Sequence, residues 1–217
     1  VTGKVYVALT NNDKRGADGS AAADEANPRN ENKNGQIIEI SDNHVGTDFT
    51  WELLLVCGDP AAADTYYGGF DKTRVSPISC PDNVAFDSSG NLWISTDGNA
   101  LGHCDGMYLM PLEGEHTGHL QQFLSVPAFS ECCGPLIEWD DRVVFAAIQH
   151  PGESDGATTA APTSTFPYRG STQPRRISGT PPCSASCAAP GAASSAASGR
   201  SQDRDWYSIR HATERNG

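Results

Sequence analysis

The chain has 217 residues and a formal charge of −12, with 27 acidic against 15 basic side chains. That surplus of carboxylates argues against nucleic-acid binding, which needs basic patches to neutralise phosphates, and it favours cations as partners. No apolar run reaches the ~18–20 residues that a helix needs to cross a bilayer, so no membrane span is expected.

Short alternating runs bounded by Gly, Pro, Asn and Asp dominate the chain, the pattern of an all-β protein. In order they are GKVYVALTN (Gly3–Asn11), GQIIEIS (Gly35–Ser41), FTWELLLV (Phe49–Val56), PDNVAFD (Pro81–Asp87) and GNLWISTD (Gly90–Asp97). GMYLMPLEG (Gly106–Gly114), GHLQQFLSV (Gly118–Val126), PLIEWD (Pro135–Asp140) and DRVVFAAIQH (Asp141–His150) follow. The runs align as a repeat of four antiparallel strands, A to D. Residues 12–34 and 57–79 are loop insertions in the first copy. Four-stranded units repeated radially make a β-propeller. The predicted fold is therefore a partial propeller over residues 1–174, whose first unit lacks strand A. Val1 already stands at the edge of a strand-like run, so the sequence is expected to be an internal piece of a longer protein.

The composition changes at Arg175. Of the 24 residues from Ile177 to Arg200, 19 are Ala, Ser, Gly or Pro. Such a tract has too little apolar surface to offset the entropy of ordering it. Residues 175–217 are predicted to be a disordered tail, and a reading-frame change near Arg175 and a natural Ala/Ser linker both account for the switch. The seven cysteines are scattered without a CxxC pair. Free or buried thiols are expected, with disulfides left open because spacing does not determine connectivity.

Strand reversal sorts the polar residues. The start of A, the end of B, and the D–A and B–C connections all lie at one end of such a unit. By this rule Asn11, Asn12, Arg29, Glu31, Asn32, Asp82, Asn83, Asp97, Asn99, Glu131, Cys132, Cys133, His150 and Glu153 share one face. The opposite turns carry Ser88-Ser89-Gly90, Asp140-Asp141 and Glu113–His116. Converging carboxylates raise one another's pKa or take up a cation, and oxygen ligands suit hard cations, Ca²⁺ above all. Asp and Asn also end strands for ordinary turn reasons. Arg29, in NPRNEN, is either an ion-pair partner for nearby acids or a clamp for an anion such as phosphate. His150 is a candidate ligand or proton carrier, or a strand-end His bonded to backbone.

Several of these segments carry a resemblance. VYVALTNND (Val5–Asp13), ANPRNENKNGQIIEI (Ala26–Ile40), CPDNVAFDSSGNLWISTDG (Cys80–Gly98) and IQHPGE (Ile148–Glu153) look like the C-terminal half of PhoX-type alkaline phosphatases, from about Val5 to Pro174. The resemblance implies a six-bladed propeller, export to the periplasm or cell exterior, hydrolysis of phosphomonoesters, and a cluster of iron and calcium ions. It makes Glu31 a calcium ligand, Arg29 the clamp on substrate phosphate and Asp97 another metal ligand. Asp82, Asn83 and Glu131 are placed by position rather than by a matched motif. The family's N-terminal half, with its Cys- and Glu-rich iron-binding segments, is absent here, and Cys132-Cys133 does not replace the missing Cys ligand. The chain alone is expected to lack about half its metal ligands. Two other readings keep the propeller: a gluconolactonase-like calcium hydrolase, and a non-catalytic extracellular binding module. Arg29 favours the phosphatase, because a lactone offers no phosphate to clamp. None of these features bears on oligomeric state.

Overall fold

A computed structural model describes residues 3–167, apart from 43, 44, 99 and 139. The predicted tail and the boundary at 174 lie outside the described residues. Within them, every paired strand is antiparallel. The first sheet has the order β1 (Lys4–Leu9), β2 (Gln36–Ser41), β3 (Thr50–Val56), β4 (Tyr66–Tyr67). The second runs β5 (Pro81–Phe86), β6 (Leu92–Thr96), β7 (Gly106–Met110), β8 (Gln121–Ser125). A hairpin of β9 (Glu131–Ile137) and β10 (Val144–Gln149) forms the third. The second sheet has the four predicted strands in the predicted order, whereas the first has its three predicted strands plus β4, which falls inside the predicted 57–79 insertion. The described residues form three open sheets rather than a closed ring.

The period-2 pattern explains the strands, and burial differs with position. All five residues of β6 and of β7 are buried, because the first sheet's core side chains pack against both strands and β9 packs against them as well. β10 has one neighbour among the described residues and alternates between half-buried and exposed. One apolar core lies between the first two sheets. Ile37, Leu55 and Tyr67 meet Leu92, Ile94, Tyr108, Met110 and Leu120 there. Each such side chain contributes roughly 1.5–3 kcal/mol by leaving water. Gly35 marks the tightest entry into this core. Its φ is +76°, and a Cβ there would lie 2.1 Å from the Thr10 carbonyl oxygen.

Two expectations need correction. Residues 57–79 are more than a spacer between repeats. They supply β4, a 3-10 turn at Lys72–Arg74 capped by Asp71, and Ile78 in the core. The Ser76 N–H donates to the Leu120 carbonyl, and the Gln122 N–H donates to the Ser76 hydroxyl, which stitches the segment to the second sheet. Second, Glu131, Cys132 and Cys133 are not in a connection: β9 begins at Glu131, and Pro135 stands inside the strand. Leu136 pairs with Phe145 and Cys133 with Ala147, so Gly134 and Pro135 together face Ala146. A bulge of this kind tolerates a residue without an N–H, which is why proline does not open the strand here.

β5 packs beside both β1 and β9. Tyr6 of β1 meets Phe86 of β5 edge to face, with ring centroids 5.2 Å apart.

Candidate metal and phosphate site

Asp82 and Asn83 sit in a bulge. Pro81 pairs with Thr96 and Val84 with Ile94, leaving Asp82 and Asn83 together opposite Ser95. Such a bulge twists the strand and re-aims its side chains. The Asn83 Oδ1 accepts the Gly134 N–H at 2.9 Å. Gly134 belongs to the bulge of β9, so the two bulges bond to each other across sheets.

The end of β6 delivers Asp97 beside this point, and its N–H donates to the Cys80 carbonyl at 3.0 Å. Burial raises the Asp97 pKa, the Glu131 carboxylate raises it further, and His150 partly offsets both. Glu131, at the start of β9, has its Oε2 3.4 Å from His150 Nε2. His150 Nδ1 lies 3.5 Å from Glu153 Oε2. The Cys133 thiol is pushed up mainly by burial, with contributions from both Glu131 and Asp82. The structure thus brings Asp82, Asp97, Glu131, His150 and Glu153 into one neighbourhood. Asn99 lies outside the described residues.

A further carboxylate, Asp105, has no place in the sequence reading. It is buried just before β7, accepts the Thr96 hydroxyl at 2.6 Å, and accepts the Gly98 N–H through both oxygens at 3.0 and 3.1 Å. Burial pushes its pKa up to about 6 against those hydrogen bonds, with Asp97 and Glu131 adding to the rise. In sequence it reads as a turn residue in HCDG. Only tertiary packing shows that it anchors the backbone next to Asp97.

Arg29 and Glu31 come from the 12–34 loop, which an Asn12–Asn32 bridge closes at its base. Buried Asn32 holds the end of the loop by accepting the Asn34 and Gly35 N–H groups. The Cys80 N–H donates to the Asn34 carbonyl at 2.7 Å, docking the loop beside the start of β5. The loop therefore reaches the same end of β5 as Asp82. At the other end, the Ser88 N–H donates to the Asp141 carboxylate at 2.9 Å, joining the turns of the second and third sheets. Glu31 is exposed, in a left-handed conformation with φ 46°. Arg29 is turned inward. It donates from Nη1 to the Cys57 carbonyl at 2.7 Å and from Nη2 to the Asp64 carbonyl at 2.7 Å, and its Nε lies 2.8 Å from Asp64 Oδ2. Asp64 is thus the acid that pairs with Arg29.

No group of three or more His, Cys, Asp or Glu side chains among the described residues is arranged to hold a metal ion. The acidic neighbourhood has the right chemistry for a hard cation, but its donors do not form a closed set within this chain.

Repeated antiparallel four-stranded sheets with carboxylates, a histidine and an arginine at one end define a β-sheet protein with an acidic rim. The family model described as "Alkaline phosphatase PhoX" matches residues 1–152, and the chain belongs to that family. The structure is similar to "Pseudomonas fluorescens PhoX in complex with vanadate, a transition state analogue", with a TM-score of 0.61 and 33% identity. That likeness covers 76% of this chain and 29% of the other. No curated protein matches. No helix among the described residues is long and apolar enough to cross a membrane.

Proposed function

We propose that the chain is part of a metal-dependent alkaline phosphatase that hydrolyses phosphate monoesters. The observation that carries this reading is the family match over residues 1–152. The three sheets, with β5 packed beside both β1 and β9, are read as a sector of a propeller, and on the family resemblance the enzyme is read as working in the periplasm or outside the cell.

In this reading Arg29 binds the substrate phosphate, where a guanidinium offers paired, charge-assisted hydrogen bonds and offsets developing negative charge. Glu31, Asp82, Asn83 and Asp97 are metal ligands, with Glu131 and His150 as additional members of the site. Calcium and iron are the metals the resemblance implies. Bound there, they would supply Lewis-acid stabilisation of the phosphoryl oxygens. The described donors come as neighbours rather than as a complete shell, so the remaining ligands would come from chain beyond these residues. His150, with Glu131 and Glu153 on either side of its ring, is read as the proton carrier of the site. Asp105 fixes the Gly98 amide and with it the approach of Asp97.

Hydrolysis of p-nitrophenyl phosphate and of a lactone by the full-length parent protein, with calcium and iron supplied and then stripped by EDTA, tests the reading. Phosphate-ester turnover that EDTA abolishes is the expected outcome. Vanadate binding reads the same site even where turnover needs parts beyond this chain. Lactone hydrolysis without phosphatase activity or vanadate binding would overturn it.

A further inference from the structure

The guanidinium of Arg29 has two working sides. On one, Nη1 donates to the Cys57 carbonyl at 2.7 Å and to the Asn32 side-chain oxygen at 3.3 Å. Those partners hold the group in place. The other side, Nε with Nη2, is the fork that grips a carboxylate or phosphate in two-point fashion. A single residue occupies that fork. Asp64 takes Nη2 with its backbone carbonyl at 2.7 Å and sets its carboxylate 2.8 Å from Nε. The Nε is covered, and its N–H is not aimed at any acceptor.

The two halves of this grip differ in freedom. The backbone next to Asp64 is pinned: the Ala62 carbonyl accepts from Lys72 Nζ at 2.6 Å and from the Thr65 hydroxyl at 2.9 Å. The Asp64 side chain is 63% exposed, whereas that of Arg29 is 11% exposed. The carboxylate can swing into water while the carbonyl stays. An anion approaching Nε therefore meets Asp64 first, as a like charge on the same fork.

We propose that the Asp64 carboxylate is a resident competitor for the phosphate on Arg29, so that Asp64 sets the affinity of the site for dianionic oxyanions. This rests on the reading of Arg29 as the phosphate-binding group. Substrate binding swaps one oxyanion for another on a pre-placed guanidinium, and a substrate must carry enough charge to win the exchange.

The test is calorimetric binding of orthovanadate and of inorganic phosphate, at fixed ionic strength, to the 217-residue chain and its variants. Asp64→Asn and Asp64→Ala are expected to bind about two- to five-fold more tightly, the scale of losing one part-exposed ion-pair competitor. Arg29→Ala is expected to lose binding, and Asp64→Asn combined with Arg29→Ala should bind no better than Arg29→Ala alone. Thermal melts confirm that each variant folds. If the Asp64 variants bind equally or more weakly while Arg29→Ala still loses binding, Asp64 orients the guanidinium, the competitor assignment is wrong, and the phosphate site survives. If Arg29→Ala binds as the parent does, or no variant binds either oxyanion, the phosphate reading of Arg29 falls and this inference falls with it.

Discussion

Asp105 shows how one buried carboxylate governs its surroundings. Its pKa is raised to about 6, above the roughly 3.9 of an unfolded Asp. The native state therefore holds this proton more tightly than the unfolded state does. Ionisation costs native stability above about pH 6, and the cost is relieved as pH falls from about 6 towards 4. The span of the shift corresponds to no more than about 3 kcal/mol. Asp105→Asn removes the ionisation while keeping an acceptor for the Gly98 N–H. Urea unfolding in EDTA should show the variant's stability relative to the parent improving from pH 4 to pH 8. An unchanged difference across that range would mean that Asp105 is not the group responsible. Arg29 makes the complementary case. If it clamps phosphate, Arg29→Ala should lower phosphate-ester turnover by about 10²- to 10³-fold, the usual cost of removing one donor to developing charge. A steady-state comparison of kcat/KM checks it, and parental kinetics would leave Arg29 with only its bonds to Cys57, Asn32 and Asp64.

Strands with no Gly or Pro in their interior are legible in the sequence alone: β5, β6, β7 and β8 fall inside the predicted runs, and so do β1 to β3. Legibility fails where Gly and Pro sit inside a strand, or where a strand is very short. ECCGP looks like a connection because Gly and Pro punctuate it, yet a bulge lets the strand run through. β4 is two residues long and exists only because β3 offers an edge. Asp82 and Asn83 stand out in sequence as unusual, but not as a bulge, because a bulge is a property of two strands together. The bond from Gly134 to Asn83 gives that geometry a measurable consequence. Asn83→Ala removes the side-chain partner of an exposed backbone N–H that water can then reach, which should cost about 0.5–1.5 kcal/mol. Hydrogen exchange should quicken at Gly134 and its neighbours in β9 and leave β7 unchanged. Uniform acceleration through the second sheet would instead mean that Asn83 supports β5 itself. Asp105 escapes notice in sequence for a related reason: a turn-like position carries no sign of burial.

The second sheet also shows what the third lacks. β6 is wholly buried between β5 and β7, whereas its counterpart β10 has only β9 beside it among the described residues. Phe145 is 53% exposed and its cross-strand partner Leu136 is 59% exposed. VFAAIQ contains no charge and no proline, the two devices that usually keep an edge strand from pairing with another chain. The backbone groups along that edge and the apolar side chains beside it invite the same partner, a further strand. In the proposed propeller that strand would come from the rest of the unit, as β7 does for β6. If no other residue of the 217-residue chain covers that edge, the chain should associate with itself as concentration rises. Ala147→Lys places a charge at an exposed position of β10 without touching the core between the first two sheets, and should shift light-scattering mass towards the monomer while thermal stability stays close to parental. If the parent remains monomeric at high concentration, the β10 edge is already covered and the analogy with β6 and β7 needs no missing strand.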